Sequence, residues 1–365
     1  MTIKNIIRQL EILAPSAYQE SYDNCGLLTG NPQWDCSGIL CTLDATEEIV
    51  LEAKQKGCNL IVAHHPIIFG GLKKITGKNY VEKTVIAAIK NDIAIYAVHT
   101  NLDNVLHGVN NKIADKLRLV RCRILSPKPS MLSKLVTFVP LAHAEVVRAA
   151  IFAAGGGNIG NYSECSFNHE GIGTFKAGEN AHPFAGEKNI RHEEKELRIE
   201  IIFPQFIQSK IIDALIKSHP YEEPAFDIIP LKNDYSQVGS GLLGELETAI
   251  SEQDFLQLLK AQFGLQAIKH TALLGKNIQK VALCGGAGSF LIKTAIAAGA
   301  DIYITADVKY HEFFDADNHL VIADIGHWES EQFTIDLLFD FFRSKYSNFA
   351  VQKSEIRTNP VYYFI

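Results

Sequence analysis

Short apolar runs alternate with longer amphipathic segments along the first third of the chain. The apolar runs predict buried strands, and the amphipathic segments, with apolar residues every three or four positions, predict helices. Strands separated by such helices are typical of β-α-β units and of a mainly parallel sheet. The predicted elements are, in order, a strand over 38–43, a helix over 45–56, a strand over 59–63, a helix over 81–90 and a strand over 93–98.

The pattern changes near residue 124, where the Pro-rich segment 126–130 predicts a linker. Beyond it, strand and helix signals lie on both sides of a glycine-rich loop, which predicts a small ferredoxin-like α+β module. Its predicted elements are a strand over 135–139, a helix over 144–154, a strand over 197–203, a helix over 206–218 and a strand over 225–231.

The β-α-β pattern returns after Gly244, with a helix that begins near Ser251 and strands predicted over 281–284 and 301–305. The predicted fold class is therefore α/β, with a mainly parallel-sheet domain split by an inserted ferredoxin-like α+β domain. The split domain is expected over 1–124 and 236–365, and the insert over 125–235.

Composition and charge narrow the function classes. Lys and Arg number 35 and Asp and Glu 41, so the net charge is −6, unlike the basic footprint of a nucleic-acid binder. No apolar run approaches the roughly 18 residues that span a bilayer, and the N-terminal segment resembles an amphipathic helix rather than a signal peptide. The seven cysteines contain no CxxC pair, which argues against a disulfide framework and a zinc ribbon. A cytoplasmic protein with neither membrane nor nucleic acid as a partner is expected.

Histidines follow the second predicted strand directly. His64 and His65 come immediately after the strand over 59–63, and neighbouring residues on an extended chain point to opposite sides. Ligands bind beyond the carboxyl ends of strands in open α/β sheets, so the pair suits two metals, or one metal and a substrate. Two loop histidines without a ligand explain this single motif equally well.

Two other predicted strands are followed by His99 and Asp103, and by His327 and Glu331. Taken alone, Asp103 is explained by capping of the next helix, and His327 with Glu331 by a surface pair four residues apart. If the strands share one sheet, however, these side chains converge with the histidine pair. Three neutral imidazoles and two carboxylates then suit two divalent cations such as zinc, iron or manganese.

Three further segments, polar or rich in glycine, are candidates for binding a substrate or a phosphate. Residues 305–311 follow another strand and include His311, so they suit substrate contact or proton transfer as well as structural ion pairs. Residues 285–289 form either a phosphate cradle or a tight turn, since they lack the lysine of a P-loop. Residues 239–244 have the GxGxxG spacing of a nucleotide loop, but no helix is predicted after them, so no phosphate site is expected there.

Six motifs occur along the chain in this order: DNCGLL at 23–28, HHP at 64–66, HTNLD at 99–103, LCGGAG at 283–288, TADVKYH at 305–311 and GHWESE at 326–331. Together they resemble the GTP cyclohydrolase I type 2-like family, also called the NIF-three-like or dinuclear-metal-centre family. The middle segment, with HPYEEPAFD at 219–227, is similar to the PII/CutA-like domain inserted in the longer bacterial members. Trp328 stands where the family often has a second histidine, and Cys25 where it usually has an aliphatic residue.

This resemblance implies a toroidal homohexamer with a two-metal site in each subunit that faces the central cavity. The implied metal ligands are His64, His65, Asp103, His327 and Glu331. The insert is expected to cap the openings of the ring. Some members of the family resemble GTP cyclohydrolases in activity.

Two functions fit these features. In the first, a dinuclear-metal hydrolase acts on GTP or a related purine nucleotide: water attacks C8 of the guanine ring, formate leaves and rearrangement gives a pterin precursor. His99 and His311 are then the candidate proton shuttles. In the second, the metal-loaded ring is a regulatory or binding scaffold without turnover, and the insert senses a small ligand. Turnover by protein of known metal content distinguishes the two.

Overall fold

Two units are present within residues 1–364, the part of the chain that this computed structural model describes. Unit 1 comprises Met1–Ser126 and Val238–Ile365, and unit 2 comprises Pro127–Gln237. Both boundaries lie two residues beyond those expected from the sequence, after 124 and after 235. None of the helices in residues 1–364 is long and apolar enough to cross a lipid bilayer.

The first segment of unit 1 alternates strands and helices, as its apolar pattern predicts. Its elements are α1 (Ile3–Leu13), β1 (Gly26–Thr29), β2 (Ile39–Thr42), α2 (Glu47–Gln55), β3 (Leu60–Ala63), α3 (Tyr80–Lys90), β4 (Ala94–Ala97), α4 (Thr100–Asp103), α5 (Val109–Lys116) and β5 (Val120–Lys128). Thr46 begins α2 and Asn79 begins α3, because each side chain accepts a hydrogen bond from a first-turn backbone N–H. Strands β2, β3 and β4 are buried along their whole length.

The linker expected over 126–130 is mostly strand, which corrects the prediction. Strand β5 continues through Pro127 to Lys128. It is the last strand of its sheet, where a proline need not remove a ladder hydrogen bond. Pro127 thus lies at the end of an edge strand rather than in a linker, although the boundary between the units is beside it.

Unit 2 contains a four-stranded antiparallel sheet and two helices. Its elements are β6 (Leu132–Pro140), α6 (Ala144–Ala153), β7 (Phe167–Lys176), β8 (Arg191–Pro204), α7 (Gln208–Ser218) and β9 (Phe226–Leu231). The strand order is β7-β8-β6-β9, with every neighbouring pair antiparallel. A β-α-β-β-α-β chain with this order has the ferredoxin-like arrangement. The sequence pattern does not predict β7, because the strand is largely exposed and contains Gly171 and Gly173.

The second segment of unit 1 completes its two sheets. Its elements are β10 (Tyr235–Ser251), α8 (Glu252–Phe263), β11 (Lys269–His270), β12 (Asn277–Ala287), α9 (Ile292–Ala297), β13 (Ile302–Ala306), β14 (Val321–Asp324), α10 (His327–Glu331), α11 (Thr334–Lys345) and β15 (Val351–Lys353). The GxGxxG spacing at 239–244 lies inside the extended strand β10, so it forms no nucleotide loop. The glycines at 285 and 286 likewise continue β12 and form neither a phosphate cradle nor a turn.

The strands of unit 1 form two mixed sheets, with the orders β1-β4-β3-β2-β15 and β11-β14-β13-β12-β10-β5. The central neighbours are parallel, whereas β1, β10 and β11 each pair antiparallel with a neighbour. The expectation that the three ligand-bearing strands share one sheet is therefore wrong: β3 and β4 lie in the first sheet and β14 in the second. Apolar runs show that a strand is buried, but they do not show which strand it pairs with.

Candidate metal centre

His64 follows β3 and is completely buried. Its Nδ1 lies 2.8 Å from the carbonyl oxygen of Val98. Because a carbonyl can only accept, Nδ1 carries the proton and Nε2 keeps a free lone pair. The backbone at the end of β4 thus fixes both the tautomer and the direction of this ring, as a supporting group does for a metal-binding histidine.

The free nitrogen of His64 faces two carboxylates. Its Nε2 lies 3.6 Å from Oδ1 of Asp103 and 3.9 Å from Oε1 of Glu331. Both Nε2 of His64 and Oδ1 of Asp103 are buried and have no hydrogen-bond partner among residues 1–364. A buried lone pair beside a buried carboxylate oxygen is costly unless a cation lies between them. This part of the site therefore has the donor atoms of a metal site, and no other group of the described chain satisfies these buried atoms.

His65 and His327 face the other oxygen of Glu331. Nε2 of His65 lies 2.9 Å and Nε2 of His327 lies 3.2 Å from Oε2 of Glu331. The two Nε2 atoms are 3.4 Å apart. Each ring is fixed from behind, since Nδ1 of His65 contacts Asp44 at 2.7 Å and Nδ1 of His327 contacts Asp307 at 2.6 Å. The Nε2 atoms of three histidines thus face one buried carboxylate.

The carboxylates control the protonation of these rings in the metal-free protein. Burial alone would lower the pKa of His65, but its hydrogen bonds to Asp44 and Glu331 raise it to about 10. Burial also opposes the charged form of His327, yet contacts with Glu331 and Asp307 raise its pKa to about 9. Burial would raise the pKa of Glu331, but the surrounding histidines hold it well below its usual value. Without a metal, the positive charge beside Glu331 is therefore carried by the protonated rings of His65 and His327.

Asp103 behaves differently from Glu331. Burial, reinforced by the negative charge of Glu331, raises the pKa of Asp103 to about 7. Two buried carboxylates without a cation cannot both ionise easily. A divalent cation beside them would reverse this effect, because it favours the ionised form of both groups.

The five predicted ligands come together in three overlapping groups that could hold a metal ion. Within each group, the ligand atoms all lie within 4.8 Å of one another. Glu331 occurs in two of the groups, and His64 and His65 each occur in two. The groups are His64, Asp103 and Glu331; His65, His327 and Glu331; and His64, His65 and His99.

His99 lies beside two of the predicted ligands. Its ring centroid is 5.2 Å from that of His64 and 5.4 Å from that of His65. Nδ1 of His99 contacts Asp23 at 2.9 Å, so its Nε2 is the nitrogen left for the site. Burial would raise the pKa of Asp23, but hydrogen bonds from His99, and from Thr100 and Cys25, hold it well below its usual value.

His311 is not brought together with the ligand groups. It is exposed in the short helix Tyr310–Ala316, where its ring contacts Tyr310 and Phe314. In the same motif, Asp307 is the residue that reaches the site, through its contact with His327. Of this motif, the structure thus brings Asp307, and not His311, to the ligand groups.

Three further residues, Asp44, Asp307 and Gly286, support the predicted ligands without being among them. Asp44 and Asp307 orient His65 and His327, and both follow strands whose carboxyl ends carry the site. Asp307 belongs to the strand-end motif 305–311 that the sequence already indicates, and the same strand-end rule applies to Asp44. Gly286 was assigned to a phosphate loop or a turn. A Cβ at this position would lie only 2.4 Å from Oε1 of Glu331, and its φ is +63°, so glycine leaves room for the carboxylate.

The structure shows the contacts of Cys25 and Trp328, the two residues that depart from the family pattern. The Sγ of Cys25 lies 3.0 Å from the carboxylate of Asp23 and donates to it. Burial and this negative neighbour raise the pKa of Cys25 to about 12, so it stays a thiol. The indole of Trp328 lies under Arg357 with 4.7 Å between the guanidinium carbon and the ring centroid. Its buried Nε1 has no hydrogen-bond partner in the described part of the chain.

Known proteins resemble this chain along its whole length. A GTP cyclohydrolase 1 type 2 homolog of Halalkalibacterium halodurans is 38% identical over 362 residues, which cover 98% of this chain and 97% of the relative. A homolog of the same description from Staphylococcus epidermidis is 34% identical over 367 residues, covering 100% of both. The crystal structure of a Bacillus cereus protein related to NIF3 matches with a TM-score of 0.87 at 36% identity, and the match covers 100% of this chain and 99% of that one.

The profile of the DUF34/NIF3 family (NGG1p interacting factor 3) matches residues 1–360. This match spans the strand ends, the helix α10 and the whole of unit 2. The family resemblance inferred from the six motifs is thereby confirmed. The chain belongs to the DUF34/NIF3 family.

Proposed function

We propose that the protein is a dinuclear-metal-dependent hydrolase that acts on GTP or a related purine nucleotide and releases formate. The proposal rests on one observation above all. The two oxygens of Glu331 face different sets of nitrogen atoms, with His64 on the side of Oε1 and His65 with His327 on the side of Oε2. A carboxylate placed in this way suits a bridge between two cations.

The residues present fit two divalent cations per chain. One is proposed to be held by His64, Asp103 and Oε1 of Glu331, and the other by His65, His327 and Oε2 of Glu331. Mixed imidazole and carboxylate donors favour zinc, iron or manganese. The unpartnered Nε2 of His64 and Oδ1 of Asp103 support this assignment, because a cation would satisfy both.

When bound, the cations would supply Lewis acidity and lower the pKa of a water molecule toward neutrality. Residues of the chain would orient the ligands and move the proton. Asp44 and Asp307 hold two of the ligand rings in orientation, and the carbonyl of Val98 holds the third. His99, kept in place by Asp23, is proposed to move a proton at its Nε2. No role in proton transfer is proposed for the exposed His311.

The substrate class follows from the family rather than from a pocket. Relatives along the whole chain carry the description GTP cyclohydrolase 1 type 2 homolog. Hydrolysis at C8 of the guanine ring would open the ring and release formate, and rearrangement would give a pterin precursor. The assembly proposed with this activity is a homohexamer, and unit 2 is proposed to be a PII/CutA-like domain, as its strand order supports.

The test is turnover of GTP by purified protein of known metal content. We expect one formate per GTP consumed, with about two divalent cations bound per chain. Glu331→Gln removes the proposed bridging charge and should lower metal occupancy and turnover by about tenfold or more. Glu247→Gln is the matched control, because Glu247 is exposed and lies outside the ligand groups.

Two outcomes separate the parts of the proposal. Full occupancy by two cations without turnover on a panel of purine nucleotides would refute the hydrolase and favour the metal-loaded regulatory scaffold. Unchanged metal content in Glu331→Gln, at two cations per chain, would refute the bridging role of that carboxylate.

A further inference from the structure

In unit 2, the helices α6 and α7 pack against one face of the four-stranded sheet. The opposite face, beside β8, is not covered by them. Ile199 and Ile201 belong to the buried cluster that includes the α6 residue Val147. Because successive residues of a strand point to opposite faces, Glu196 and Arg198 lie on the other face of the sheet. Within 196–201, the charged residues of this strand therefore lie on the face opposite the helices.

A cavity of about 520 Å³ opens on this second face. Its lining includes residues of 177–184, from the connection between β7 and β8, and of 221–225, which follow α7. The ring of Tyr221 stands 5.7 Å from Phe175 and 6.1 Å from Phe184, centroid to centroid, so aromatic side chains form much of the wall. This volume lies within the range of small-molecule sites.

Glu196 places a carboxylate in this aromatic wall. Only 8% of the residue is exposed, and its Oε1 accepts a hydrogen bond of 2.9 Å from the hydroxyl of Tyr221. Gly173 allows the carboxylate to lie against the sheet, because a Cβ there would stand 2.1 Å from Oε2. Within residues 1–364, no Lys, Arg or His forms an ion pair with Glu196. A buried carboxylate with one neutral partner is incompletely compensated.

The other polar groups of the cavity do not neutralise this charge. Arg198 forms an ion pair of 2.9 Å with Glu200, and its side chain is 47% exposed. The carboxylate of Glu222 accepts a hydrogen bond from the backbone N–H of His182, which brings no positive charge. Glu223 adds a further carboxylate to the lining, which also contains His169. The balance of formal charge in the cavity is therefore negative.

His219 holds Tyr221 in place. Nδ1 of His219 accepts a hydrogen bond from the backbone N–H of Tyr221, and its Nε2 donates to the carbonyl of Phe138. Burial lowers the pKa of His219, so this ring is neutral and brings no counter-charge. Burial, and then the contact with Glu196, raises the pKa of the Tyr221 hydroxyl, which therefore remains a donor to the carboxylate.

We propose that the cavity of unit 2 binds a small organic cation, whose ammonium group lies against Glu196 and whose apolar body packs on Phe175, Phe184 and Tyr221. Aromatic faces attract cations, and the attraction grows when water is excluded. The carboxylate supplies the opposite charge, and the aromatic wall supplies the apolar contact. This site lies entirely within unit 2 and does not depend on the activity proposed for unit 1.

Calorimetric titration of the full-length protein with two probes of matched shape tests the proposal. Tryptamine is cationic at neutral pH, whereas tryptophol replaces its ammonium group by a neutral hydroxyl. We expect one tryptamine per chain, bound at least about tenfold more tightly than tryptophol. Glu196→Gln keeps an acceptor for Tyr221 but removes the charge, and should abolish that preference. Glu193→Gln, on the same strand but exposed and outside the lining, should retain it.

A second variant keeps the test decisive if Glu196→Gln folds poorly. Phe184 is 53% exposed, so Phe184→Leu should fold normally while it weakens tryptamine binding several-fold. Equal affinity for the two probes, or no measurable binding of either by the wild type, would overturn the proposal. If, in addition, Phe184→Leu lowered the molecular mass in light scattering, the occupant of this face would be a second copy of the chain rather than a cation.

Discussion

Nε2 of His65 lies 2.9 Å from Oε2 of Glu331, although 266 positions separate the two residues in the sequence. His65 follows β3 of the five-stranded sheet, and Glu331 ends α10, just beyond β14 of the six-stranded sheet. The site therefore lies where the strand ends of two sheets of unit 1 approach each other. Its ligands come from both segments of that unit, so the site forms only when the two segments have folded together.

The first prediction concerns pH and metal together. In the metal-free protein, the raised pKa values of His65 (about 10) and His327 (about 9) mean that their protonated forms stabilise the fold. That stabilisation is complete below the unfolded pKa of about 6.5 and is lost as pH rises through about 9 to 10. Metal binding requires the neutral rings, so protons compete with metal most strongly at low pH.

The difference in unfolding temperature between metal-loaded and chelator-treated protein should therefore grow as pH rises from about 6 to about 9. Calorimetric scans of both forms in the same buffers measure it. The control is Glu331→Gln, in which the difference should be small at every pH. A difference that stays constant over this range in the wild type would show that the histidines do not exchange protons for metal.

The second prediction concerns the space beside Glu331. Gly286→Ala would place a Cβ 2.4 Å from Oε1 of Glu331, so the carboxylate must move and metal content should fall. Gly264→Ala is a matched control: its φ of +65° is close to the +63° of Gly286, but nothing lies within 4 Å of its Cβ. Both variants should lose about 1 kcal/mol of stability from backbone strain.

Only Gly286→Ala should lose metal, as measured by elemental analysis of the purified proteins. Equal metal content in the two variants would mean that Glu331 can shift without cost, and that the glycine has no role in the site.

The third prediction concerns the two units. Each contains buried apolar clusters of its own, and all five predicted ligands belong to unit 1. Replacement of 129–234 by a short glycine linker should therefore leave a folded protein that still binds metal, since β5 and β10 remain complete. Circular dichroism and elemental analysis test this. A shortened chain that unfolds, or that folds without metal, would show that unit 1 needs unit 2.

Much of this site follows from the sequence because strand ends and ligand-type side chains are local signals. The buried strands before His64 and His99, and the i, i+4 spacing of His327 and Glu331, are visible without a structure. Sheet membership is not, because pairing depends on contacts between distant segments. The exposed strand β7 has no apolar alternation to reveal it.

The role of the residues that support the ligands cannot be recognised from the sequence, because their contacts also join distant segments of the chain. Asp44 is one of many carboxylates in the chain, and only the fold shows that it lies 2.7 Å from Nδ1 of His65. The glycine at 286 looks like a turn residue until Glu331 is placed beside it. His311 was chosen for its chemistry within a motif, and the fold turns it to the surface.

The fourth prediction concerns assembly. We expect a homohexamer that persists after the metals are removed, because every proposed ligand belongs to one chain and need not form the subunit contacts. Light scattering with and without chelator, from about pH 5 to about pH 8, measures the mass while elemental analysis follows the metal. Dissociation to monomers in step with metal loss would show that the metals hold the subunits together.

The central claim, that two cations share Glu331, is tested most directly by anomalous scattering from crystals of the metal-loaded protein. Two anomalous peaks per chain are expected, about 3.5–4 Å apart as is usual for two-metal sites. One peak should lie beside His64 and Asp103 and the other beside His65 and His327, with Glu331 contacting both. A single peak, or two peaks that do not share Glu331, would contradict the claim.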